Sequence, residues 1–217
     1  YTTLFRSGHD LGFGHKALQS SESLLGDKYG LELLHPCYST YHVELGEISS
    51  YPQGYKENGA VFNHNNPWVV IAHCVEGESQ EAFDLYKRNA PAYIEDESDV
   101  HYTEPYVYSQ MIAGRDAKNY GQAKNSWLSG SATWSFVALS QYLLGIRPDY
   151  AGLLIDPHLP SQQFPHLHLS RKFRGNLYDI TIDNTAMHPT LYVNGKPVKG
   201  NLVPFEKSSK PVKVELR

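Results

Sequence analysis

The stretch "GYKENGAVFNHNNPW", Gly54 to Trp68, sets Lys56, Glu57, His64 and four asparagines around short apolar pairs. Ammonium, carboxylate, imidazole and amide groups are the side chains that grip hydroxyls and anions. His64 stands just before Asn66-Pro67, which reads as an N-cap followed by a first helical residue. A helix start presents free N–H groups and a partial positive charge, so a histidine there can donate to an oxyanion. A second such place is "SGS", Ser129 to Ser131, where an apolar helix begins. Gly130 lets the backbone come close to a ligand, and Ser129 adds a hydroxyl donor. Taken singly, each feature keeps a plainer reading: Ser129 as an N-cap, His64 as a satisfied loop histidine.

The carboxylates stay equally open. Glu47 and Glu57 lie in a long loop region, and Glu104 precedes Pro105. Two facing carboxylates could do acid/base work on a glycosidic bond, but spacing does not show that they face, and solvated or loop-holding glutamates give the same pattern. Lys56 could clamp a substrate oxygen or be an ordinary surface lysine. "HLH", His166 to His168, is a strand alternation without a third ligand, so no metal is expected. The chain contains no G-x-S-x-G, no P-loop and no dinucleotide fingerprint.

The elements that must position these residues follow from periodicity. Residues 13–25 space Phe13, Ala17, Leu18, Leu24 and Leu25 along one helix face, with Gly26 as terminator. Residues 31–63 hold no period, and so long an irregular stretch in a compact domain is often functional. Asn66-Pro67 opens the helix "WVVIAHCV", and the helix from Ser79 stops before Pro91. Pro105 to Gly114 reads as a third helix. "SGSATWSFVALSQYLLGIRP" is apolar nearly all round, which predicts a buried helix closed by Gly145 and Pro148. After Tyr150, β-branched and alternating runs predict strands, and "VNGK", Val193 to Lys196, is a hairpin cue. The expectation is a helical region over 1–150 and a β-rich domain over 151–217.

Composition bounds the chemistry. The 217 residues suffice for one large domain, or one domain plus a small one. Net charge is −4 with no Lys/Arg run, which argues against a nucleic-acid partner. No apolar run is long enough to span a bilayer. Cys37 and Cys74 make no disulfide framework and read as buried free thiols of a reducing compartment. Sixteen tyrosines and eleven histidines suit sugar binding, and equally suit ordinary cores and surfaces. The chain opens on Tyr1, which reads as a boundary within a longer protein, and no signal peptide is visible.

Four blocks in order, "GYKENGAVFNHNNPW", "EPYVYSQMIAGRDA", "AKNSWLSGSATWSFVA" and "YLLGIRPDYAGLLIDP", closely resemble the C-terminal third of the inverting disaccharide phosphorylases. That family, glycoside hydrolase family ninety-four, acts on cellobiose, cellobionic acid or diacetylchitobiose. The resemblance runs from about Leu11 to about Pro157. It implies a mainly α fold: the C-terminal half of an (α/α)6 barrel, then a small jelly-roll-like β domain. It implies that inorganic phosphate, a co-substrate with no other cofactor, attacks the anomeric carbon of a β-linked disaccharide. The products would be an α-sugar 1-phosphate and a free sugar.

Residue by residue, the resemblance makes His64 a phosphate-binding histidine and Gln110 a glutamine of the same pocket. Ser129-Gly130 stands where the family has Thr-Gly, a departure that keeps the hydroxyl. Glu47, Tyr51 and Lys56 fall at positions lining the leaving-sugar subsite. The family's general acid is an aspartate upstream of the "ENG" block. No residue here replaces it, and Asp10 lies in a start that matches the family poorly. The resemblance therefore implies an inactive segment partnered by the N-terminal part of the same cytoplasmic enzyme, commonly a homodimer. The rival readings are a glucan-processing hydrolase relative using water, and a non-catalytic sugar-binding module.

Overall fold

The computed structural model describes residues 8–217, which fall into two compact units, one ending at Ala138 and one running from Leu139 to Arg217. Residues 1–7 of the expected helical region lie outside the described residues. In the first unit, α1 (Gly14–Leu25) leads into the two-residue strands β1 (Gly26–Asp27) and β2 (Gly30–Leu31). A 3-10 segment (Val43–Ser50) crosses the aperiodic region before β3 (Val61–Phe62). Then come α2 (Asn66–Glu76), α3 (Ser79–Asn89) and the single turn α4 (Ser98–His101). Strands β4 (Ser109–Ile112) and β5 (Ala123–Ser126) precede α5 (Ser131–Val137).

The core of this unit is built on the three-stranded sheet β3–β4–β5. Successive side chains on a strand face opposite ways, and both faces are covered here. Val61, Ile112 and Ala123 pack with Tyr29 and Ile94, while Phe62 and Met111 pack with Ala60, Leu33 and Tyr55. Helix α2 buries Val70, Ile71, Ala72, His73 and Cys74. It ends where Gly77 turns to φ 78, a left-handed conformation that glycine adopts without a Cβ clash. The Gly77 and Glu78 amides then cap the Cys74 and His73 carbonyls at 3.1 and 2.9 Å.

Several expectations are corrected. The segment Pro105 to Gly114 is not a helix. Tyr106 takes φ 63, and Ser109–Ile112 pairs antiparallel with β3 on one side and β5 on the other, so ladder partners decide the conformation. The Ser131 helix is short: it gives way after Val137 to a π-helical turn over Ala138–Leu143. Phe136 is 62% exposed, so the helix is not buried all round. Asn65 is the N-cap of α2, which places Asn66 first and Pro67 second. On α1 only Leu18 is buried, while Phe13 and Leu24 are exposed.

These differences add up to a different class. The chain is 32% helix and 26% strand, with four separate small sheets, so the fold is mixed α/β and not mainly α. A barrel wall needs long helices laid side by side. Among the described residues the helices are few, run 12 residues at most, and form no barrel.

The second unit consists of β6 (Ile146–Pro148), β7 (Gly152–Ile155), β8 (His166–Phe173), β9 (Asn176–Asp183), β10 (Leu191–Val193), β11 (Lys196–Val198), β12 (Leu202–Pro204) and β13 (Val212–Leu216). They form a five-stranded sheet in the order β11-β10-β13-β9-β8 and a three-stranded sheet β12-β7-β6. β9 alternates strictly, burying Tyr178, Ile180 and Ile182 and turning Leu177, Asp179 and Thr181 outward. The "VNGK" cue holds: Asn194 and Gly195 sit at φ 49 and 78, the paired positive values of a type I′ turn. Ile180, Ile182 and Val214 of one sheet share a core with Ile146, Leu153 and Val203 of the other.

Candidate functional site

Strand β4 organises the residues singled out from the sequence. Its first residue, Ser109, is buried, and its backbone carbonyl accepts from Asn63 Nδ2 at 3.2 Å and from Ser131 Oγ at 3.3 Å. The Asn63 amide also donates to Ser109 Oγ at 2.9 Å, and its backbone N–H extends the ladder to the Gln110 carbonyl at 2.9 Å. Asn89 Nδ2 reaches Asn63 Oδ1 at 2.9 Å, so Asn63 is held from both sides. His64 follows Asn63, Gln110 follows Ser109, and Ser129-Gly130 precede Ser131. One buried serine thus anchors the three segments that carry these residues.

His64 is half-buried, its ring edge-on to Phe62 at 4.9 Å and to Trp68 at 5.3 Å between centroids. Burial in this aromatic setting pushes its pKa below the ordinary histidine value. The imidazole is therefore neutral near pH 7 and gains from an anion that lets it take up a proton. Trp68 meets Trp134 edge-to-face at 5.6 Å, tying the first turn of α2 to α5.

Gln110 presents its side-chain carbonyl to two donors, the Lys56 ammonium and Asn125 Nδ2 at 2.8 Å. With the oxygen so occupied, the Gln110 amide N–H pair is the end left for a ligand oxygen. Lys56 sits in the tight turn Tyr55 to Asn58 at φ 50, and its backbone N–H contacts Met111 Sδ at 3.0 Å. Beside it, Glu57 has one carboxylate oxygen that is buried without a hydrogen-bond partner. Ser129 Oγ accepts from the Ser131 N–H at 3.0 Å and meets the Ser131 hydroxyl. Gly130, not Ser129, is the N-cap residue of α5.

The asparagines of the opening stretch are mostly structural. Buried Asn58 accepts from the Tyr38 N–H at 2.8 Å and donates to the carbonyls of Tyr38 and Tyr51, at 3.0 and 2.8 Å. Asn66 accepts from the Leu31 N–H at 2.7 Å and donates to Phe62 O at 3.1 Å. Asn65 differs, with a buried side-chain oxygen that has no partner.

The other sequence candidates separate. Tyr51 donates to Glu47 Oε1 at 3.0 Å, an exposed pair in which the hydrogen bond to the carboxylate raises the tyrosine pKa. Glu104 accepts from Trp127 Nε1 at 3.0 Å. His166 pairs across the strands with Asp183 at 3.7 Å, and His168, opposite Thr181, reaches diagonally to Asp179 at 2.6 Å. Cys37 and Cys74 are not joined in a disulfide; the half-buried Cys37 thiol donates to Asn58 O at 3.0 Å and is pushed up to about 11, first by burial. Among the described residues no group of three or more His, Cys, Asp or Glu could hold a metal ion, and no helix is long and apolar enough to cross a membrane. Ser109, Asn63 and Asn125 were not foreseen. Asn125 carried one signal, since asparagine tolerates the left-handed backbone (φ 54) it adopts here.

The chain is also similar to known proteins. The chain is 34% identical over 200 residues to the N,N'-diacetylchitobiose phosphorylase of Vibrio proteolyticus, covering 90% of this chain and 25% of that protein. It is 34% identical over 189 residues to the corresponding enzyme of Vibrio furnissii, covering 85% and 24%. It is 31% identical over 194 residues to the solabiose phosphorylase of Paenibacillus borealis, covering 88% and 25%. The chain thus spans about a quarter of the length of the curated relatives it matches. Residues 4–145 match the glycosyl hydrolase 94 superfamily catalytic domain, and the chain belongs to that family.

Proposed function

We propose that the protein carrying this chain is an inverting glycoside phosphorylase, and that this segment supplies its phosphate pocket and part of its leaving-sugar subsite. The observation that carries the reading is that Asn63 and Ser131, neighbours of His64 and of Ser129-Gly130, both bond to the buried Ser109 beside Gln110, with Lys56 bonded to Gln110. The groups offered are an ammonium, amide N–H groups, a hydroxyl and an imidazole, a donor set suited to phosphate oxygens. Phosphate would attack the anomeric carbon from the face opposite the leaving sugar. The glycosidic oxygen leaves with a proton from a general acid, and the products are an α-sugar 1-phosphate and a free sugar. Phosphate is itself the nucleophile, so no side chain has to activate water.

The acid is assigned to an aspartate outside these 217 residues, so this chain alone performs no cleavage. Glu57, whose buried oxygen lacks a partner, would accept a hydroxyl of the bound disaccharide. The substrate is a β-linked disaccharide. Diacetylchitobiose is the first to test, because two of the relatives are named for it, followed by cellobiose and cellobionic acid. The test is product analysis with and without phosphate, for the full-length protein and its His64→Ala variant. The reading requires phosphate-dependent cleavage that this variant weakens; cleavage at equal rate with water alone supports a hydrolase and overturns it.

A further inference from the structure

A second cleft in the first unit, about 260 Å³, shares no lining residue with the Ser109 cluster. Pro91 and Ile94 supply apolar surface, Tyr106 an aromatic ring, and Ser98, His101 and Glu104 the polar groups. Its size falls just below the roughly 300–1,000 Å³ of pockets for drug-sized ligands, which suits one small ring.

The loops around it carry unusual backbone. Tyr102, Tyr106 and Trp127 take φ of 56, 63 and 70. Large side chains are disfavoured in that region, and such residues gather where a ligand is held. All three are aromatic, and among the described residues no core packs over them, Tyr106 being 67% and Trp127 73% exposed. The Trp127 indole N–H donates to Glu104 Oε1 at 3.0 Å, fastening one loop to the other at the cleft.

The lining selects a ligand class. A pyranose ring has an apolar C–H face that lies on an aromatic ring, and hydroxyl edges that donate to carboxylates. Glu95 and Glu104 both line the cleft, so phosphate and sugar phosphates are repelled. That is the opposite preference from the donor-rich Ser109 cluster.

We propose that this cleft is a second carbohydrate site, taking one neutral pyranose ring on Tyr106 with its hydroxyls donated to Glu104. The site stands apart from the phosphate pocket, and the proposal does not depend on the phosphorolysis reading.

The test is saturation-transfer NMR and calorimetry on the purified full-length protein with glucose and N-acetylglucosamine, without phosphate. The expected result is transfer to the ring C–H protons, with affinity falling about tenfold in Tyr106→Ala and in Glu104→Gln. Glycine accepts φ 63 without strain, so Tyr106→Gly is expected to keep or raise Tm while losing the sugar, which separates a ligand role from a folding role. His64→Ala should leave this affinity within about twofold, a neighbour-independent change. Equal affinity in wild type, Tyr106→Gly and Glu104→Gln overturns the proposal. So does sugar binding that disappears in His64→Ala, or the absence of any transfer to either sugar.

Discussion

The Lys56 ammonium donates to the side-chain carbonyl of Gln110, joining a residue expected at the leaving-sugar subsite to one expected at the phosphate pocket. The contact occupies the Gln110 oxygen and leaves its N–H pair as the donor end. The two residues should therefore be energetically coupled. Lys56→Met and Gln110→Ala are each expected to lower kcat/KM by about tenfold to a hundredfold, and the double variant to lose less than the product of the two. A coupling energy of about 1–3 kcal/mol in the double-mutant cycle is the expected reading. Strict additivity would show that the bond has no part in catalysis.

Asn63 is predicted to position rather than to bind. It bonds to Ser109 twice and receives Asn89, all in buried surroundings. Asn63→Ala should destabilise the fold by about 1–3 kcal/mol, the penalty of leaving buried partners unsatisfied. In the full-length enzyme it should also raise KM for phosphate through a displaced His64. Denaturant melts and initial rates measure the two effects.

The depressed pKa of His64 has a pH consequence. At this site the unfolded chain binds protons more readily than the folded one, so stability rises with pH through the titration window. The His64 contribution is fully present above the unfolded value of about 6.5 and is lost as pH falls through the lower folded value. His64→Phe should therefore flatten the acid limb of the stability curve. Chemical denaturation at a series of pH values from neutral to acid checks this, and an unchanged limb would count against it.

Gly59 offers a test of the loop beneath Lys56. It lies at φ 97, and a Cβ there would sit 2.1 Å from Cys37 Sγ. Gly59→Ala should destabilise by more than the roughly 1 kcal/mol usual for a point mutation, since strain and clash add. Adding Cys37→Ala should recover only the clash. Melting temperatures of the single and double variants give the answer.

The sequence made some of this structure legible and concealed the rest. "VNGK" identified its hairpin because the type I′ turn demands positive φ at two adjacent residues, a local requirement met by Asn194-Gly195. The helix Ser79–Asn89 was legible for a similar reason, in its apolar period and in Pro91 beyond its end. Pro105 to Gly114 misled because its apolar spacing suits either helix or strand, and the deciding partners, Val61–Phe62 and Ala123–Ser126, are remote in sequence. The same non-locality hid Ser109. His64, Gln110 and Ser129 could be named from motifs, but a serine with no motif of its own anchors their segments. Four asparagines suggested ligand chemistry; Asn58, Asn63 and Asn66 turned out to hold backbone.

The most direct test of the central claim is 31P and 1H NMR of diacetylchitobiose, cellobiose and cellobionic acid incubated with the full-length enzyme, with and without inorganic phosphate. An α-configured sugar 1-phosphate is expected from at least one of them, formed only with phosphate and strongly reduced in His64→Ala. Release of free sugars at the same rate without phosphate, or a β-configured phosphate product, would contradict the claim.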